Sequence, residues 1–141
     1  MKKTLLAVLF IMICITSACT RDKSSGFQNI ESDRVIDKIA NKDTFLLIIE
    51  HSGSYACEIF KNEIKSTVDK NKLLVYVLDE SDMDASIKDQ LNIAIGDYSS
   101  WPTMFYIKDG SLIITDKYEY SKDPEGWMTW MENMKLIKKD N

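Results

Sequence analysis

The sequence predicts an α/β domain built on a central mixed β-sheet with helices on both faces. Three observations predict it. Two uninterrupted apolar runs of strand length, Phe45-Leu46-Leu47-Ile48-Ile49 and Leu73-Leu74-Val75-Tyr76-Val77-Leu78, have the pattern of strands buried on both faces. Between them Cys57, Phe60, Ile64 and Val68 recur at three- and four-residue spacing, the stripe of a helix with one face inward. Further on, Trp101-Pro102-Thr103 enters Met104-Phe105-Tyr106-Ile107, turns at Lys108-Asp109-Gly110 and leaves as Ser111-Leu112-Ile113-Ile114-Thr115.

Taken in order, Ser32 is placed to cap a helix whose apolar positions Val35, Ile36, Ile39 and Ala40 follow helical spacing. The first buried strand follows, then the helix marked by Cys57, whose Glu58, Lys61, Glu63, Lys65 and Asp69 can face water. After the second strand, Met83, Ile87 and Leu91 mark a shorter helix. The acidic run Asp79-Glu80-Ser81-Asp82-Met83-Asp84 before it lacks the glycine and distal glutamate of a calcium loop, and reads as a helix N-terminus enriched in acids. Pro102 cannot donate to a ladder and so sits at a strand start or edge. Asp109-Gly110 favours a two-residue hairpin turn, in which both central residues take positive φ. Tyr118, Glu119 and Tyr120 lengthen the edge strand. A last helix opens at Asp123-Pro124, where the missing N–H is harmless, and buries Trp127, Trp130, Met131 and Met134 as core. The order α, β, α, β, α, β, β, α needs a mixed sheet between two helical layers.

Composition narrows the function classes. A length of 141 residues gives one domain plus a leader, large enough to bury an ordinary core. The formal charge is −4 at pH 7, and losing Lys2 and Lys3 with a leader makes it more acidic, so there is no electrostatic reason to bind nucleic acid or anionic lipid. No Cys, His and carboxylate cluster has metal spacing, and no cofactor is expected. Residues 1–18 read as a signal peptide: Lys2 and Lys3, an apolar run from Leu5 to Ile15 too short to span a membrane, then Thr16-Ser17-Ala18 before Cys19. This ending resembles the lipobox of bacterial lipoproteins, except that Thr16 stands where leucine is usual. The resemblance implies that Cys19 is lipidated and becomes the first mature residue. Residues 19–29, with Ser24-Ser25-Gly26, then form a polar tether, and residues 30–141 the domain. Lipidation, small size and lysine-rich composition point to the extracytoplasmic face of the cell membrane in a Gram-positive bacterium.

The Trp101-Pro102-Thr103 hairpin resembles the cis-proline hairpin of the thioredoxin family, and the element order is similar to the thioredoxin fold over nearly the whole mature chain. The resemblance implies that the loop before the proline lies against an active-site helix and receives extended peptide. It also implies a Cys-x-x-Cys motif after the first strand. That segment here is His51-Ser52-Gly53-Ser54-Tyr55-Ala56-Cys57-Glu58. Counting from Ile49 puts Ser54 at the first motif position and Cys57 at the second. In an alternative register, Cys57-Glu58-Ile59-Phe60, the cysteine comes first as a monothiol nucleophile, at the cost of a long loop. The family's buried acid, six residues before the first cysteine, falls on Ile48. Glu50 is expected to face solvent at the strand end, and His51, the single histidine, to be an exposed loop residue.

Three functions are weighed. A serine hydroxyl cannot replace the thiolate that a helix N-terminus stabilises, and a lone second cysteine has nothing to resolve. The first reading is therefore a lapsed thiol-disulfide oxidoreductase with Cys57 as its remaining thiol and Ser54 where the nucleophile is missing. It keeps a peptide-binding groove at Trp101, Pro102, Thr103, Tyr55 and Ala56. Its partners are extended segments of exported proteins and, through Cys19, the membrane; a monomer is expected. The second is an active monothiol enzyme using Cys57. The third, a peroxidase site, fails because Arg21 and Arg34, the only arginines, lie upstream of the first strand, and Glu50 replaces the motif's proline. The chain is also similar to thioredoxin-fold accessory proteins of bacteriocin systems, although those generally retain Cys-x-x-Cys. Replacing Cys19 with serine is expected to abolish metabolic lipid labelling and release the chain from the membrane fraction; unchanged retention would sink the lipoprotein reading.

Overall fold

The computed structural model describes residues 24–111 and 116–139, so the leader, Cys19 and the hairpin residues 112–115 lie outside the described residues. The elements are β1 (Gly26–Asn29), α1 (Ser32–Ala40), β2 (Phe45–Glu50), α2 (Tyr55–Lys70), β3 (Leu74–Asp79), α3 (Ala85–Ile95), β4 (Thr103–Ile107), β5 (Lys117–Glu119) and α4 (Trp127–Asn133). They form one five-stranded sheet in the order β1-β3-β2-β4-β5. β3 pairs in parallel with β1 and β2, whereas β4 runs antiparallel to both β2 and β5. This is the mixed sheet that the element order requires.

Strand β2 is buried from Phe45 to Ile49, and its alternation feeds two cores. Leu46 and Ile48 join Phe60, Ile64 and Val68 of α2 and Trp130 and Met131 of α4 on one face. Phe45, Leu47 and Ile49 join Val35 of α1 and Leu91 and Ile95 of α3 on the other. The stripe Cys57, Phe60, Ile64, Val68 is buried along α2, and the tryptophan stripe of α4 packs as core. At the hairpin, Lys108 and Ser111 exchange N–H···O bonds of 3.1 and 2.9 Å, with Asp109 and Gly110 at φ of 53° and 68°. A Cβ on Gly110 would lie 2.3 Å from the Ile39 carbonyl oxygen, so the turn seats against the end of α1 only because that residue is glycine.

Three local expectations change. The tether placed over residues 19–29 includes strand from Gly26: the Gly26 N–H donates to Leu73 O at 2.7 Å and Phe27 packs on the first core. Four residues carrying one large apolar side chain give no periodic signal. Ser32 is the first helical residue of α1 and makes no side-chain cap; Glu31 precedes it in extended conformation. The last helix begins at Trp127, because Asp123-Pro124 is held in a turn whose Asp123 carbonyl accepts from the Tyr118 hydroxyl and from the Gly126 N–H. The described partner of β4 is Lys117–Glu119, with Thr103 opposite Glu119. Phe60 lies fully buried against the rings of Tyr118 and Tyr120, with centroids 5.9 and 5.0 Å away. Phe60→Ala should therefore destabilise the fold by about 3–5 kcal/mol in urea unfolding; a loss under about 1 kcal/mol would contradict this packing.

Candidate functional site

The site forms where β2 ends and α2 begins. Gly53, at φ 79°, allows the tight turn in which the Ser54 N–H donates to His51 O at 3.0 Å. Ser54 is the extended residue before α2, and its carbonyl accepts from the N–H groups of Cys57 and Glu58 at 3.1 and 3.3 Å. The Ser54 hydroxyl makes no cap bond. Cys57 sits one turn into the helix as a free thiol, only 3% exposed. Glu50, His51, Ser52, Gly53, Ser54, Cys57, Glu58 and Lys61 line a cleft of about 160 Å³. Tyr55 stands 75% exposed at its helical rim, while Ala56 packs partly on the first core.

Ile48 is fully buried and apolar, so the position where the resemblance implies an acid holds none. Glu50, expected in solvent, instead turns into the cleft, with its Oε2 2.6 Å from Lys61 Nζ. Strand alternation explains it: Glu50 shares the face of Leu46 and Ile48, and that face meets α2. His51 is likewise half-buried rather than exposed, its ring centroid 5.0 Å from that of Trp101 and its Nδ1 3.0 Å from Ser52 O.

This tilted ring contact joins the helix loop to the proline loop. The Trp101–Pro102 peptide is cis. Pro102 and Thr103 are buried, Trp101 is 38% exposed, Thr103 Oγ1 donates to Ser100 O at 2.6 Å, and the Pro102 carbonyl accepts from the Tyr120 N–H at 3.2 Å. From β5, Lys117 reaches Asp97 O at 2.7 Å, while Glu119 accepts from Ser99 Oγ at 3.3 Å. Hydrogen bonds from Lys117 and Lys122 hold the Glu119 carboxyl down at about 2.

Two adjacent acids at the end of β3 complete the site, and the sequence pattern did not single them out. Of the acidic run expected to serve a helix N-terminus, Asp84 does so, accepting from Ser86 N at 2.8 Å. Asp79 instead ties the helix loop to the β3–α3 turn, accepting from Ser52 N at 3.1 Å, Ser81 N at 3.0 Å and Ser81 Oγ at 2.7 Å, and also from Ser52 Oγ. Glu80 turns the other way: its side chain is 1% exposed, with Oε1 3.1 Å from Lys88 Nζ and Oε2 accepting from the Tyr98 hydroxyl. Desolvation and Glu80 together hold the Tyr98 phenol well above its ordinary range. Ser81, two residues after Asp79, was the available signal, the spacing of a local side chain-to-backbone turn. No sequence period reports a contact with Ser52, because it forms only when β2 and β3 pair.

Comparison with solved structures agrees with this architecture. The chain is similar to a chain of the ferredoxin:thioredoxin reductase and thioredoxin f2 complex, with 14% identity over 79% of this chain and 98% of that one and a TM-score of 0.60. It is similar to oxidised thioredoxin O2 from Arabidopsis thaliana, at 15% identity, 78% and 95% coverage and a TM-score of 0.58. Thioredoxin f from spinach chloroplast gives 14%, 79% and 98%, with a TM-score of 0.56. No protein-family model and no curated protein sequence matches. At these identities the likeness establishes the fold: the chain has the thioredoxin fold.

Asp79 carries the pH dependence of the helix loop. Burial is the largest single influence and raises its pKa, but the hydrogen bonds from Ser52 and Ser81 together outweigh it and bring the carboxyl from 3.8 to about 2. Its stabilisation is complete above pH 4 and is lost as pH falls through about 2. Thermal unfolding across this acid range should show a shallower loss of stability in Asp79→Asn than in the wild type. Parallel curves would remove Asp79 from the account.

Proposed function

We propose that this chain is a membrane-anchored, extracytoplasmic thioredoxin-like protein of the thiol-disulfide oxidoreductase superfamily. Its dithiol chemistry has lapsed, and it binds extended segments of exported proteins beside Trp101-Pro102-Thr103. One observation carries the reading: a serine occupies the α2 N-terminus, where a thiolate would be stabilised, and Cys57 one turn on is 3% exposed. A hydroxyl does not ionise at neutral pH, forms no disulfide, and so leaves a mixed disulfide at Cys57 without a resolving partner.

The binding half of the proposal is supported by exposed aromatic surface. Tyr55 and Trp101 are two of four large apolar side chains with substantial exposure among the described residues; Tyr55 opens α2 beside the cleft, and Trp101 meets the cleft-lining His51 from the proline loop. Exposed aromatics beside a polar cleft suit a chain with alternating side chains and free backbone groups. Anchoring through Cys19 rests on the leader's sequence. A second reading, a monothiol enzyme, draws on Cys57 lining the cleft; its burial then requires the helix loop to open before the sulfur reacts. The similarity to bacteriocin-system accessory proteins fits either reading.

Both halves can be tested in the full chain. The wild type should not reduce insulin disulfides, whereas Ser54→Cys should gain slow activity. Reduced, carboxymethylated α-lactalbumin should bind the wild type, and Trp101→Ala should weaken it roughly tenfold. Wild-type insulin reduction that disappears in Cys57→Ser would replace the lapsed-enzyme reading with the monothiol one, and unchanged binding by Trp101→Ala would remove the docking site.

A further inference from the structure

Glu80 is the most deeply buried ion-paired carboxylate among the described residues, and neither its depth nor its partners are needed to build the sheet. Its Oε1 meets Lys88 of α3 and its Oε2 meets Tyr98 in the loop before Trp101. Lys88 Nζ then lies 5.9 Å from the Tyr98 ring centroid and 5.8 Å from that of Trp101. A free lysine on a helix samples many rotamers, so a fixed ammonium beside an exposed indole requires a counter-charge to hold it. Glu80 supplies that charge from inside the protein. Its own backbone is fixed, since the Glu80 N–H donates to Glu50 O at 3.0 Å as an extension of the β2–β3 ladder. The remaining ties on the proline loop are of a different kind. Lys117 to Asp97 O, Ser99 to Glu119, and Thr103 to Ser100 O fix its backbone and its β5 side, and none reaches the indole.

We propose that Glu80 is a positioning residue for peptide docking: acting through Lys88 and Tyr98, it holds the Trp101 indole against His51, which lines the cleft from the helix loop. The proposal rests on the docking reading given above and adds how the indole is set. Asp79 and Glu80, consecutive at the end of β3, thus divide the work, with Asp79 fixing the loop that carries Ser54 and Glu80 fixing the loop that carries Trp101. An indole already held in place loses less freedom when a partner docks, so the contribution appears as affinity.

The test uses the full chain labelled with 5-fluorotryptophan, with the Trp101 resonance assigned by its loss in Trp101→Phe, and carboxymethylated α-lactalbumin as the probe. Glu80→Gln keeps the shape and an acceptor for Tyr98 but removes the charge that holds Lys88. It should move or broaden the Trp101 fluorine signal, leave those of Trp127 and Trp130 in place, and weaken probe binding roughly fivefold. Lys88→Met should do the same, and Lys88→Arg, which can still pair with Glu80 and lie on the rings, should retain both signal and affinity. Should Glu80→Gln unfold, the two Lys88 variants, on a half-exposed side chain, decide alone. An unchanged Trp101 signal in Glu80→Gln or Lys88→Met overturns the proposal, as does equal loss in Lys88→Arg and Lys88→Met. Weak probe binding already in the wild type, or no effect of Trp101→Ala, would instead refute the docking reading, while the fluorine shifts would still report whether Glu80 sets the indole.

Discussion

Strand β2 is the constraint on which everything else depends. It lies between β3 and β4, parallel to one and antiparallel to the other, and every side chain from Phe45 to Ile49 is buried. Because strand side chains alternate, Leu46 and Ile48 anchor the layer of α2 and α4 while Phe45, Leu47 and Ile49 anchor the layer of α1 and α3. A slip of one residue would exchange the two sets and carry Glu50 away from Lys61. The same strand therefore fixes both cores and delivers Glu50, His51 and the turn at Gly53 to one place. Rigidity in the middle of the sheet is what gives the loop at its end a defined shape.

Elements with a period of their own were legible in the sequence. The β2 and β3 runs, the α2 stripe from Cys57 to Val68 and the positive-φ turn at Asp109-Gly110 lie where the residue pattern puts them, because burial on a face or a turn's φ requirement is written into neighbouring residues. Segments whose structure comes from a distant partner were not. Gly26–Asn29 is a strand only because β3 offers an open edge, and Asp123-Pro124 is a turn only because Tyr118 reaches its carbonyl. Those contacts leave no periodic trace.

The site divides in the same way. The placement of Ser54 before α2 and Cys57 within its first turn follows from helix geometry, which local sequence encodes. The polar frame around them does not. Glu50 finds Lys61 across a strand–helix contact, Asp79 finds Ser52 across twenty-seven positions, and Glu80 finds Tyr98 across eighteen. Each of these acids looks, in sequence, like ordinary surface charge. They differ in depth: Asp79 stays exposed, whereas the Glu80 side chain is 1% exposed and meets a cation and a hydroxyl.

That depth bears on why a site with one thiol keeps its shape. If thiol chemistry alone maintained this region, a site with one thiol would give no reason to hold two loops with an exposed, hydrogen-bonded Asp79 and a buried Glu80, the second of which carries a desolvation cost. Packing does not require a carboxylate at Glu80, since an apolar residue could fill the same space beside Tyr98. Yet Asp79 reaches Ser52 in the helix loop and Glu80 reaches Tyr98 in the loop before Trp101, and neither contact involves Cys57. These polar contacts fix the position of the Ser54 loop and of the Trp101 loop on the common frame of β3.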